Sequence, residues 1–391
     1  MSDRSSSGAA ATLRARLTSH VERGTIGSAL VIISRNRDRE VITVDDGRRA
    51  ITPDTIVRIA SLTKPIVATA VLALAERSLC TLDDPIESHI PELSDRRVLR
   101  RVDAELDDTE PARRPITVRH LLTCTMGFGF PMVKGPLPAM REATALQVAP
   151  GPPRPATPHS PDEWIRRFAT LPLMAHPGEQ WMYDTSFAVL GVWLSRITGR
   201  SLDDVLREYV LDPLSMNDTG FSVPMVKVAR LTPCDMADAS GHVHGTFDDV
   251  PDSQWARPPA FPDATGGLVS TANDFLVFAE MLRAEGIHDG RRLLQTSSIE
   301  ALTTNVVTEA MRNPATAAFL EPRGWGLGVS VALEAHDDWA RPGRYGWEGG
   351  LGTSWFNDPA QNASALLVTQ RFPPAFEVFA DFWKGAGGVA A

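Results

Sequence analysis

Cysteine is scarce: Cys80, Cys124 and Cys234 are the only three in 391 residues. They are far apart and odd in number. They outline no disulfide framework, fall at no metal-ligand spacing, and fit a reducing compartment. Basic clusters are missing too. The net charge is −9, with 48 acidic against 39 basic residues and no Lys/Arg run. Binding a phosphate backbone needs clustered cations, so this argues against a nucleic-acid partner. No apolar run reaches the roughly 18 residues of a membrane span, which argues against a membrane partner. The N-terminal MSDRSSSGAAATLRARLTSHVERG carries charges through its middle, where a secretory signal needs an apolar stretch. It reads as an amphipathic helix ending at Gly24, and the protein as cytoplasmic. G-x-S-x-G is absent, which excludes an α/β-hydrolase nucleophile elbow. There is no internal repeat.

What is present is ordinary globular composition, 43% apolar and 22% charged. The length suits two domains or one large discontinuous fold. IGSALVIIS (26–34) and REVITVD (39–45) read as strands, with the turn DDGRR (45–49) after them. The segment from Ser61 to about Arg77 is apolar on all sides, the mark of a buried helix, with Pro65 in its first turn where a missing N–H costs least. Helical stretches then alternate with loops, including 160–171 and 186–199. Nine prolines between Pro131 and Pro161 rule out a continuous helix or central strand there. The plain reading is a surface loop; the alternative is a lid or binding loop facing a substrate. Further on, 266–286 reads as a turn and a capped helix closed by glycine. Segments 324–333, 352–358 and 363–371 read as strands, and 376–386 as a closing helix.

One short stretch carries chemistry. In R58-IASLTK-64, Ser61 and Lys64 stand three apart at a helix start, and positions i and i+3 share a helix face. A free serine is a poor nucleophile until a neighbour takes its proton. A lysine whose pKa is lowered by desolvation could be that base, or could polarise the hydroxyl. The plain alternative is an N-cap serine followed by an exposed lysine, since S-x-x-K is common by chance.

The surroundings decide between these. RIASLTKPIVATAVLALAE strongly resembles the first motif of the serine β-lactamase/penicillin-binding protein superfamily. It is most similar to the class C-like branch that includes the family VIII carboxylesterases. ITVRHLLTCTMGF (116–128), the stretch 177–221, GGLVSTANDFLVFAEML (266–282) and YGWEGGLGTSWF (345–356) resemble later landmarks of that branch, in order. The resemblance spans about residues 26 to 385. It implies an α/β (α+β) fold of the β-lactamase/transpeptidase type: an antiparallel sheet flanked by helices plus a mainly helical inserted domain. Residues 1–80 and 265–391 are expected to form the discontinuous α/β domain. Residues 81–264 are expected to form the insert, with the Pro-rich loop 131–161. It also implies roles for residues: Ser61 as the acylated nucleophile, Lys64 as its activating partner, Tyr183 as the motif tyrosine sharing proton transfer, and the backbone N–H groups of Ser61 and Gly350 as the oxyanion hole. A phenol with a reference pKa near 10 needs a cation beside it to ionise, so Lys64 and Tyr183 would titrate as a pair.

Two departures from the family pattern bear on substrate. Where β-lactamases carry Lys-Thr-Gly, this chain has Trp347-Glu348-Gly349, a W-x-G like that of the family VIII esterases. A cation is lost and an anion gained, which disfavours anionic substrates. The usual Tyr-x-Asn is Tyr183-Asp184-Thr185, so a side-chain amide is missing. Trp347, Gly349, Thr185, Phe128 and Trp181 are the expected substrate-binding residues. Two or three members of the aromatic set Phe128, Phe130, Trp181, Trp347, Trp355 and Phe356 are expected to line a pocket. His242-Val-His244 lacks a third ligand, and neither a metal nor a cofactor is implied. The reading is a serine hydrolase acting on small, short-chain carboxylic esters through an acyl-enzyme. β-Lactamase, D-peptidase or amidase, acyltransferase and a non-catalytic binding protein of the same fold compete with it.

Overall fold

The computed structural model describes residues 3–36, 38–250, 252–335 and 340–387. The expected N-terminal helix is α1 (Asp3–Glu22), and Gly24 follows it at φ +70°. Seven strands form the central sheet: β1 (Ser28–Arg35), β2 (Asp38–Asp45), β3 (Gly324–Trp325), β4 (Ser330–Val331), β5 (Tyr345–Gly349), β6 (Thr353–Asp358) and β7 (Ala363–Val368). Their order is β3-β4-β5-β6-β7-β1-β2, with every pairing antiparallel.

Strand β1 is nearly all apolar because both faces of the sheet are covered. Val31 and Ile33 join Leu13 and Leu17 of α1 and Phe379 and Phe382 of the last helix. Leu30 and Ile32 face the opposite way, into the main core. That period-2 split is the strand's own alternation. The main core holds the buried helix α2 (Thr63–Glu76). It also holds α3 (Pro161–Ala169), α4 (Thr185–Thr198) and α5 (Ala272–Arg283), while α6 (Phe376–Gly387) packs beside α1. Helix α2 is buried from Thr63 to Leu74 and is shared by the sheet and the helical part, so its first turn lies where the two meet. An antiparallel sheet covered by helices, with a mainly helical part beside it, is the architecture expected from the sequence.

Three segments differ from expectation. The single strand expected over 324–333 is two short strands that turn on each other. A β-carbon on Gly326 would lie 2.0 Å from the Leu302 carbonyl oxygen, and Gly328 sits at φ +91°, so the chain bends tightly there. Strand 363–371 stops at Val368; Gln370 has φ +52°, and Arg371–Phe372 leaves the sheet to pair in parallel with Cys234–Ala237. Cys234–Ala237 in turn pairs with Val243–Asp248 as a hairpin within a stretch expected to be mainly helical. His242 belongs to the turn of this hairpin, and its Nδ1 lies 2.9 Å from Ser240 Oγ. Among the described residues no cluster of metal-ligating side chains occurs, and no helix is long and apolar enough to cross a membrane.

Candidate active site

Ser61 stands in a single 3-10 turn, Ala60–Leu62, between the short strand Val57–Arg58 and α2. It caps nothing: Leu62 is the N-cap of α2 and no side chain caps that end. The hydroxyl instead accepts from Lys64 Nζ at 3.3 Å. The turn is pinned on every side. Arg58 exchanges backbone hydrogen bonds with the Gln370 amide (2.8 and 2.9 Å) and buries its guanidinium against Asp248, the Thr232 carbonyl and the Trp255 ring. The Ile59 carbonyl accepts from Thr353 Oγ1 at 3.0 Å. Ala60 is held at φ +45°, unfavourable for a residue with a β-carbon.

Strand β5 passes unusually close to this turn. A β-carbon on Gly349 would meet Thr353 Oγ1 at 2.1 Å and the Ile59 carbonyl oxygen at 2.6 Å. Gly349 is therefore the residue that lets the strand approach the Ser61 turn. Gly350, just beyond it, is exposed, and a β-carbon there would meet nothing within 4 Å. Gly349→Ala is expected to cost about 1–3 kcal/mol of stability through overpacking and to depress esterase activity by pushing β5 outward. A thermal melt and an assay on the purified variant check this, and an unchanged melting curve with full activity would refute it.

Lys64 is fully buried. Its Nζ donates to Asp184 Oδ1 (2.8 Å) and the Thr265 carbonyl (2.7 Å), and stands 4.5 Å from the centre of the Tyr183 ring. Burial alone pushes its pKa down, but the charges of Asp184 and Tyr183 and the Asp184 hydrogen bond outweigh that, and the net shift is upward. The lowered lysine pKa expected from the sequence is thus overturned by a carboxylate brought from 120 positions along the chain. Tyr183 is pushed up to about 12, chiefly by burial; Lys64 and hydrogen bonds with Ser61 and Trp347 oppose the rise. The Trp347 indole N–H donates to the Tyr183 hydroxyl at 2.6 Å, a contact that favours the phenolate.

Ser61, Tyr183, Asp184, Gly349 and Gly350 open onto one cavity of about 740 Å³. The proline-rich segment reaches it through Pro150–Arg154, so part of that loop does face the site. Of the six aromatics considered from the sequence, Phe130 and Trp347 line it. Phe128 and Trp181 are not among its lining residues. The chain at Phe130 is bonded to Tyr183 (Phe130 N–H to the Tyr183 carbonyl, 3.0 Å), and two residues earlier Phe128 packs edge-on to Phe168 at 5.2 Å in the core. Trp181 is fully buried and stacks on the Tyr183 ring at 5.6 Å, supporting it from the side. Thr185 is buried with its hydroxyl unpartnered among the described residues, and it lines a separate, smaller cavity. Sequence reasoning missed Phe319 and the α6 face made by Phe376, Phe379 and Trp383. Their i, i+3, i+7 spacing in FEVFADFW was the available signal.

The Beta-lactamase family model matches residues 13–388. This chain belongs to the β-lactamase family. It is similar to an uncharacterised protein of Mycobacterium tuberculosis, 36% identical over 334 residues covering 82% of this chain and 78% of that one. It is also similar to esterase EstB of Burkholderia gladioli, 30% identical over 388 residues and 92% and 91% of the two chains. Among solved structures, EstCE1, a hydrolase with promiscuous acyltransferase activity, superposes with a TM-score of 0.80 at 21% identity over 98% of this chain and 99% of that one. Simvastatin synthase of Aspergillus terreus gives 0.76 at 21% identity over 97% and 98%.

Trp347, which the sequence resemblance sets where β-lactamases carry a lysine, is an indole bonded to the Tyr183 hydroxyl. The neighbouring Glu348 does line the cavity, but it is not a free negative charge. Arg323 grips both its oxygens at 2.6 and 3.1 Å and lies 5.5 Å from the ring centres of both Trp347 and Trp383. The like-charge repulsion expected from the sequence is therefore largely cancelled. Loss of the lysine remains.

Proposed function

We propose that this protein is a cytoplasmic serine carboxylesterase of the family VIII kind, cleaving small carboxylic esters through an acyl-enzyme. One observation carries the reading: Ser61, Lys64 and Tyr183 converge in a buried cluster that opens, at the serine, onto an apolar cavity. The esterase relative over nine-tenths of the chain supports it. In this mechanism the reactive form carries Tyr183 as the phenolate beside the Lys64 cation; Ser61 attacks the ester carbonyl and its proton passes to that phenolate. The Ser61 and Gly350 N–H groups hold the oxyanion, a contribution of about 3 kcal/mol for one such donor. Tyr183 returns the proton to the leaving alcohol. Water then attacks the acyl-enzyme, its proton returns through Tyr183 to Ser61, and the carboxylic acid leaves. The partner is a small-molecule ester, with neither nucleic acid nor membrane involved. Three free, buried cysteines support a reducing compartment.

Short-chain p-nitrophenyl esters, acetate to butyrate, are expected to exceed penicillins and cephalosporins in kcat/KM by roughly 30- to 200-fold. That is the ~2–3 kcal/mol value of a charge-assisted contact to the antibiotic carboxylate, which Trp347 cannot make. A penicillin kcat/KM equal to that for p-nitrophenyl acetate would restore the β-lactamase reading. Acyl transfer is a second reading, favoured by the size of the cavity and its aromatic wall, which leaves room for an acceptor alcohol beside the acyl group. Partitioning of the acyl group to an added alcohol, read as the ratio of new ester to free acid, measures it.

A further inference from the structure

Asp184 borders two cavities: the one that Ser61 opens onto, and a smaller one of about 170 Å³ under the proline-rich segment, shared with Asp263 and Thr265. One of its carboxylate oxygens takes the Lys64 ammonium at 2.8 Å, and the other accepts from the Gly151 N–H at 3.4 Å. Its side chain is only 7% exposed. Its backbone sits at φ +94°, ψ −72°, a conformation that costs free energy in any residue with a β-carbon. Glycine would suit that backbone better, yet the chain places a carboxylate there, in ion contact with the lysine beside Ser61. We propose that Asp184 is a positioning residue that keeps Lys64 a permanent cation and thereby sets the pH at which Tyr183 takes the proton of Ser61. The proposal rests on the hydrolase reading above.

The groups around Lys64 leave Asp184 as its counter-ion. From its own helix start comes the neutral Ser61 hydroxyl. From the neighbouring segments come the Tyr183 phenol, the Cys124 thiol and the Thr265 carbonyl. Burial pushes Cys124 up to about 12, so it is neutral. Asp263 is bonded to the Thr265 N–H and hydroxyl, both at 2.8 Å; burial first, and Asp184 second, raise its pKa. Asp184 raises both Lys64 and Tyr183, so removing its charge lowers both. Tyr183 then releases its proton at lower pH, and Lys64 loses its charge within the accessible alkaline range.

The test is the rate of Ser61 inactivation by a fluorophosphonate, followed by mass spectrometry from pH 6 to 11 for wild type and Asp184→Asn. With Tyr183 held near 12, the wild-type rate is expected to keep climbing across this range. The variant is expected to level off within it, its limb moved down by about one pH unit or more. A variant whose rate climbs in parallel with the wild type to pH 11 would overturn the proposal. A wild type that takes no label at Ser61 would instead sink the hydrolase reading, so the two failures are distinct. Asp184→Gly, which accommodates the φ, carries the same expectation if the asparagine variant does not fold. A wild-type measurement stands independently. The chain has four lysines, Lys64, Lys134, Lys227 and Lys384. With ¹³Cε-lysine labelling, the Lys64 signal is expected to stay constant through pH 11, past the reference lysine value of about 10.4. A Lys64 signal that titrates below pH 11 would overturn the proposal.

Discussion

Ser61→Ala is expected to abolish ester hydrolysis, by about 10⁴-fold or more, while the protein stays folded. Losing an attacking serine from such a unit typically removes nearly all of the catalysis above what binding and the oxyanion donors retain. The folded state loses little. The hydroxyl caps no helix and is only half-buried; of its two neighbours, Lys64 keeps its bonds to Asp184 and Thr265, and Tyr183 keeps its bond to Trp347. The expected stability change is therefore about 1 kcal/mol or less. Turnover of p-nitrophenyl acetate together with a thermal melt checks both halves. A well-folded variant turning over at near-wild-type rate would end the mechanism. A variant that is inactive because it is unfolded would show that the turn depends on the hydroxyl in a way its contacts do not suggest.

The candidate site was legible in the sequence to the extent that its geometry is local or motif-bound. Ser61 and Lys64 are three apart on one turn, so spacing alone put them together. Tyr183 was found through its motif. The long-range charge was not legible. Asp184 reaches Lys64 across 120 positions, and it reverses the sign of the lysine's pKa shift from what burial alone dictates. Nearness in sequence to a motif does not place Phe128 and Trp181 on the cavity: both are fully buried, packed on Phe168 and on the Tyr183 ring. The sheet strands at 26–34 and 39–45 were readable because they are rich in valine and isoleucine. The segment 324–333 was misread for a reason also written in it: Gly326 and Gly328 permit a turn where the valines suggest a strand. The hairpin at 234–248 pairs with Arg371–Phe372, a partner that no local pattern names.

Lys64→Ala and Tyr183→Phe should each lower kcat/KM by about 10³-fold or more, and the double variant should lose no more than about tenfold beyond the worse single. The ammonium lies 4.5 Å from the Tyr183 ring centre, and each group lowers the cost of charging the other. Groups that act as one unit are grossly non-additive: once either is gone, removing the second takes away little. Independent action predicts the product of the two losses, and observing that product would sink the coupled-pair mechanism. Stability must be separated from chemistry, because Lys64→Ala strands a buried carboxylate at Asp184, a change of about 3–5 kcal/mol. Lys64→Ala combined with Asp184→Asn removes that stranded charge. It is expected to regain most of the lost stability and none of the activity. If activity returned with stability, Lys64 would be shown to act by holding the fold together, and the proton-transfer role would pass to Tyr183 without it.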